Sequence, residues 1–179
     1  MRRAGVITAL VTPLVALSAS VALAAVSPGT YTPTSGSFNT ANAPGSSHLT
    51  SGSPSCTVNA NRSINCSAYV LGGVGHTNAT VSLSASYSAT IDCTNNGGNL
   101  VESHTSNFSA TSSAAVASTK NGQLSVPAQS VSGISSAPQV CPNPNWTPSI
   151  RGGTVTLNSF TYTLTFAGFT SPYITITRS

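Results

Sequence analysis

Residues 80–93 read "TVSLSASYSATIDC". Val81, Leu83, Ala85, Tyr87, Ala89, Ile91 and Cys93 fall on one parity; Ser82, Ser84, Ser86, Ser88, Thr90 and Asp92 fall on the other. Side chains of a strand alternate between faces, so this run predicts a strand with one buried and one wet face. Disorder does not produce so long an alternation. Working outward, "FTYTLTF" (Phe160–Phe166) repeats the pattern with Thr161, Thr163 and Thr165 between aromatic and aliphatic residues. Ile174 and Ile176 alternate with Thr175 and Thr177, and Ile64, Cys66, Ala68 and Val70 share a parity. Turn residues separate the runs. Asn121–Gly122 is the pair favoured in a two-residue type I′ hairpin, and Gly72–Gly73 and Asn96–Gly97–Gly98 mark further reversals. No capped stretch of helical period follows the first two dozen residues. Seven to nine strands joined by turns predict an all-β, antiparallel β-sandwich, with a β-barrel as the alternative.

The first residues carry a different signal. Arg2 and Arg3 precede an apolar run, and Ala22-Leu23-Ala24 supplies a small-x-small cleavage pattern, so residues 1–24 read as a secretory signal peptide. Residues 25–54 are rich in Ser, Thr, Gly, Pro and Asn and read as a leader, in which "GSFNTAN" could add an edge strand; residues 55–179 form the β domain. Beyond residue 24 the cations are Arg62, Lys120, Arg151 and Arg178, and the only acids are Asp92 and Glu102. Four scattered cations with no aromatic interleaving exclude a nucleic-acid groove. No later apolar run is long enough to span a membrane. The expected location is secreted and extracellular.

Four cysteines in an exported chain predict two disulfides, with three possible pairings. Folding "CTVNANRSINC" about Asn59–Ser63 sets Cys56 opposite Cys66, within disulfide reach of a facing antiparallel pair. Cys93 then joins Cys141. The alternative pairs Cys56 with Cys141 and Cys66 with Cys93. Zinc ligation needs closer Cys or Cys/His spacings than these.

Both carboxylates lie within "DCTNNGGNLVESH" (residues 92–104), beside Cys93 and His104. A glycosidase needs two carboxylates across a cleft, and Asp92 with Glu102 is the one available pair. Strand parity constrains them. A two-residue turn sets Asp92 against Val101 or Ser103, with Glu102 on the other face. A three- or five-residue loop sets Asp92 directly across from Glu102. A calcium site would draw on Asp92, Asn95, Asn96, Glu102 and backbone carbonyls, but Asn-Asn-Gly-Gly-Asn is equally the composition of a tight turn. No G-x-S-x-G elbow or phosphate-binding glycine loop occurs, and His48 and His76 sit in loop-like sequence. The expectation is no catalytic residue, no metal and no cofactor.

Trp146, the sole tryptophan, and Tyr173 are the candidate partner-binding aromatics, although a Trp beside a half-cystine reads first as core. "C-x-N-x-G-G-N" at Cys93, the Asn121–Gly122 turn and "CPN-x-x-W-T" from Cys141 resemble a group of small secreted actinobacterial β-domain proteins. The resemblance supports pairing Cys93 with Cys141 and reads "DCTNNGGN" as a structural turn near a disulfide. It carries over no activity and no site residue. By subtraction, the expected function is a secreted, non-enzymatic structural or surface-associated protein able to self-assemble or contact cell-wall glycan. The alternatives are an extracellular binding module for glycan or protein, and an extracellular hydrolase using Asp92, Glu102 or His104.

Overall fold

The computed structural model describes residues 25–34 and 38–179; the expected signal peptide lies outside the described residues. The chain is all-β, built of antiparallel sheets that do not close into a barrel. Its strands are β1 (Gly29–Tyr31), β2 (His48–Gly52), β3 (Cys56–Val58), β4 (Ile64–Cys66), β5 (Tyr69–Gly72), β6 (Ala79–Thr94), β7 (Leu100–Val116), β8 (Leu124–Val126), β9 (Gln129–Val131), β10 (Thr147–Ile150), β11 (Thr156–Phe166) and β12 (Ile174–Arg178).

One layer is a five-stranded sheet. β6 is its spine: β7 pairs along one edge, while β11 and β10 share the other, and β12 lies beyond β11. The alternation in residues 80–93 becomes a burial pattern, with Val81, Leu83, Tyr87, Ile91 and Cys93 wholly inaccessible. The second layer is made of two short sheets, β1-β3-β4-β9 and β2-β5-β8. Chain order explains why it is fragmented. β2 and β3, β4 and β5, and β8 and β9 each follow one another across a gap of two or three residues. Pro54 and Pro127 occupy two of these gaps and cannot donate to a ladder. At the third gap, Ser67 spans the seam: its hydroxyl donates to Ser53 O at 2.6 Å and accepts from Ser55 N–H at 3.0 Å. Three long strands are thus broken into six, which is why twelve strands stand where seven to nine runs were expected.

The layers share one core. Leu83, Leu157, Phe160, Leu164, Phe166 and Ile174 meet Ile64, Leu71 and Leu124 from the opposite layer. A buried polar bridge joins the layers: the Tyr162 hydroxyl donates to the Tyr69 hydroxyl at 3.0 Å. Burial raises both phenols, Tyr162 to about 12 and Tyr69 further, so both stay neutral. The described parts of residues 25–54 pair into this body through β1 and β2, and Phe38 bridges to Ile174.

Three reversals use one five-residue turn. Asn59–Ser63, Asn95–Asn99 and Thr119–Gln123 each close with N–H of the first residue to O of the fifth, and N–H of the fourth to O of the first. The fourth residue has positive φ: Gly98 (75°), Gly122 (70°) and Arg62 (66°). Asn121 has no positive φ, so Asn121–Gly122 is not the expected type I′ hairpin. It also joins no hairpin: β7 pairs with β6, whereas β8 pairs with β5, and the turn carries the chain between layers.

Candidate functional site

The wet face of the large sheet is a lattice of hydroxyls. Register places Thr111, Ser84, Thr161 and Thr177 in one row across β7, β6, β11 and β12; Ser113, Ser82, Thr163 and Thr175 form the next. Ser109–Ser86–Ser159 flanks them on one side and Thr80–Thr165 on the other. Strand geometry sets neighbours about 4.8 Å apart across strands and about 7 Å apart along them. Thr and Ser suit both requirements, since Thr favours the strand and the hydroxyl keeps the face wet.

The face carries charge only at its far end, where it is neutralised. Arg151, just past β10, reaches across to Asp92 on β6, with Nη2–Oδ1 at 2.7 Å and Nε–Oδ2 at 3.1 Å. Ser103 of β7 donates to Asp92 Oδ1 at 2.6 Å and accepts from Arg151 Nη2 at 2.8 Å. These bonds, the Arg151 pair foremost, hold the Asp92 carboxyl below the usual carboxylate range. Arg151 was not singled out by the sequence, because nothing in a single chain signals a partner fifty-nine residues away.

Asp92 and Glu102 do not meet. The loop between their strands is Asn95–Asn99, five residues, which alone would set them opposite each other. A bulge intervenes: Thr94 pairs with Leu100 but Cys93 with Glu102, and Val101 is the extra residue. Asp92 therefore faces Ser103, while Glu102 turns to the inner side with His104, Oε1 to Nδ1 3.2 Å. The sheet separates the two carboxylates, and it separates Ser103 from His104. The oxygens of the calcium candidate are not gathered at one place either. Asp92 is bound by Arg151, Asn95 Oδ1 accepts from Gly97 and Asn99 N–H at 3.0 Å each, and Glu102 is on the opposite face.

Both disulfides form as Cys56–Cys66 and Cys93–Cys141. The second ties the segment after β9 onto the inner face at the far end of β6, where Ala89, Ile91, Phe108, Trp146 and Ile150 gather around it. Trp146 is half-buried in this cap. Tyr173 is 3% exposed and packs between Phe38 and Phe166, so its ring offers no surface to a partner. An open cleft of about 450 Å³ lies elsewhere, over the second layer, lined by Asn61, Ser63, Asn65, Ser130 and Ser132 beside Ile134. It is polar and uncharged, and composition gave no sign of it because its residues come from β4, β9 and two loops.

Comparison with protein-family models, with curated proteins and with solved structures found no match to any of them. Among the described residues, no helix is long and apolar enough to cross a membrane. Two disulfides are a property typical of chains that fold in an oxidising compartment.

Proposed function

We propose that this chain is exported and acts outside the cell as a non-enzymatic, surface-associated structural protein. The observation that carries the reading is the Ser/Thr lattice. Four strands devote one face mainly to hydroxyls, and the ion pair at its far end is internally neutralised. Such a face is suited to lie against neutral, hydroxyl-rich material such as wall polysaccharide, through many weak hydrogen bonds rather than a few strong ones. The two disulfides and the signal-like first 24 residues support the location, and the separation of Asp92 from Glu102 supports a non-catalytic role.

An uncharged contact predicts a distinctive salt response. Protein recovered with the cell envelope, or bound to insoluble wall polysaccharide, is expected to stay bound from low salt to about 1 M NaCl, where the Debye length is only about 3 Å. Replacing Ser84, Thr161 and Thr163 by Lys is expected to reduce binding at least tenfold without unfolding the sheet. Recovery solely from the medium, or release by salt, would refute the reading.

A further inference from the structure

Besides the four-residue β10, the large sheet has two edge strands, β12 and β7, and they are treated differently. On β12, Phe38 bridges to Ile174, Asn39 N–H donates to Tyr173 O at 2.8 Å, and Thr32 and Thr34 flank Thr175–Arg178. The start of that edge is therefore met by the chain's own N-terminal segment. The other is β7, 17 residues long, which among the described residues pairs with β6 and with no other strand.

The backbone groups on that open edge can be identified. Thr90 of β6 directs both its groups away from β7: its O accepts from Arg151 N–H at 2.9 Å, and its N–H donates to Thr154 Oγ1 at 3.1 Å. Thr90 faces Thr105, so theirs is a pair that exchanges no hydrogen bonds, and the Thr105 N–H and C=O point outward. The ladder is unbroken from Ala79/Val116 to Cys93/Glu102. Ser103, Thr105, Asn107, Ser109, Thr111, Ser113 and Ala115 therefore all present N–H and C=O to the open edge. Their side chains stand on the hydroxyl face.

Nothing on this edge discourages pairing. From Ser103 to Val116 it has no Pro, no bulge and no Lys, Arg, Asp or Glu, the usual devices that blunt a free strand. The inward side chains of β7, from Glu102 to Ala114, are half-exposed, whereas the corresponding residues of β12, Ile174 and Ile176, are buried.

We infer that β7 is the docking edge for β7 of a second copy, paired antiparallel about a two-fold axis through Ser109. That axis uses the whole edge: Ser109 faces its own counterpart, Asn107 faces Thr111, Thr105 faces Ser113, and Ser103 faces Ala115. It also sets the half-exposed Phe108 against Ala110. Because the two-fold pairing consumes the same edge of both copies, the association closes at two copies. A foreign strand would need pockets for its alternate side chains, and the outward β7 residues are short Ser, Thr, Asn and Ala. A two-fold axis perpendicular to the sheet keeps both hydroxyl faces on one side. The dimer thus presents a single ten-stranded lattice, and in this respect the inference rests on the proposed surface role.

Sedimentation of the purified secreted protein is expected to give twice the chain mass. Ser109→Pro removes an outward N–H but no bond to β6, and is expected to yield a folded monomer. Ser109→Cys places two thiols across the axis at the spacing of a facing pair, about 5.5 Å between Cα atoms, and is expected to form an interchain disulfide in air. Thr105→Cys, whose counterpart is Ser113, is expected not to. A wild-type monomer at every concentration, open-ended polymers, a Ser109→Pro dimer, or crosslinking at Thr105→Cys in place of Ser109→Cys would each overturn the inference. If Ser109→Pro fails to fold, the two cysteine variants decide. A monomer bound to the envelope would refute the edge and leave the surface role standing; a dimer found only in the medium would do the reverse.

Discussion

The two ends of the β6–β7 hairpin share the same pair of strands but are covered differently. From Ala79 to Tyr87, β6 lies beneath a layer of regular strands, and its inner side chains join an apolar core reaching from Val58 to Ile176. From Ala89 to Cys93 the cover is a segment with little regular structure, held by Cys93–Cys141 and packed with Trp146 and Ile150. The near end is held by buried area, which accumulates cooperatively; the far end has too few apolar residues for that and depends on a covalent tie. The contrast also accounts for where the charges sit. Glu102 and His104, on the inner side of β7, sit at the far end, where incomplete cover leaves them partly exposed, whereas Asp92 and Arg151 stand on the outer, wet face.

The largest effect expected on this contrast comes from the near end. Phe160 is 1% exposed and meets Tyr31 edge-on at 5.6 Å between ring centroids. Phe160→Ala removes that volume from the shared core and is expected to cost about 3–5 kcal/mol. For a chain of this size that corresponds to a fall in Tm on the order of 10 °C, readable by calorimetry. The loss is expected to be global, lowering hydrogen-exchange protection of both ends together.

The far end is expected to fail differently. Cys93 and Cys141 are 48 residues apart, and the chain-entropy model gives about 4 kcal/mol for closing such a loop. Replacing both by Ala is expected to cost about 2–4 kcal/mol, with exchange protection lost first in residues 88–94 and 147–150 while β11 and β12 keep theirs. Uniform loss of protection across both ends would erase the distinction between them.

The strand of the near end and the strand and disulfide of the far end were legible in sequence, whereas β7 and the placement of the far end's charges were not, for a physical reason. Burial on one face writes a two-residue period into β6 and β11, so "TVSLSASYSATIDC" and "FTYTLTF" announce their strands. β7 is the longest strand, yet "LVESHTSNFSATSSAAV" alternates weakly because its inner face is only half covered and tolerates Ser, His and Glu. The Cys56–Cys66 hairpin followed from local spacing. The bulge at Val101 did not, since one inserted residue leaves no compositional mark, and that residue decides which face each carboxylate takes. Arg151 and the cleft beside Asn61 depend on contacts between distant segments, which no local pattern records.

The smallest effect expected concerns the charges at the far end. Arg151 and Ser103 hold the Asp92 carboxyl below its ordinary value, so the folded chain binds that proton less readily than the unfolded chain. The stabilisation is therefore fully present above the unfolded value of about 3.9, and it is lost as pH falls through the depressed folded value. Between neutral pH and about pH 4 this pair should leave stability unchanged. Because both groups face water, the contribution is modest and screened by salt. With only two carboxylate side chains in the protein, their ¹³C carboxyl resonances can be followed individually by NMR. Arg151→Gln is expected to move the Asp92 titration up towards about 3.9, and to reduce the acid-limb loss of stability expected of the wild type below about pH 4. An unmoved Asp92 titration in that variant would mean that Ser103 alone sets the carboxyl, and that the far end is held by its disulfide without help from its ion pair.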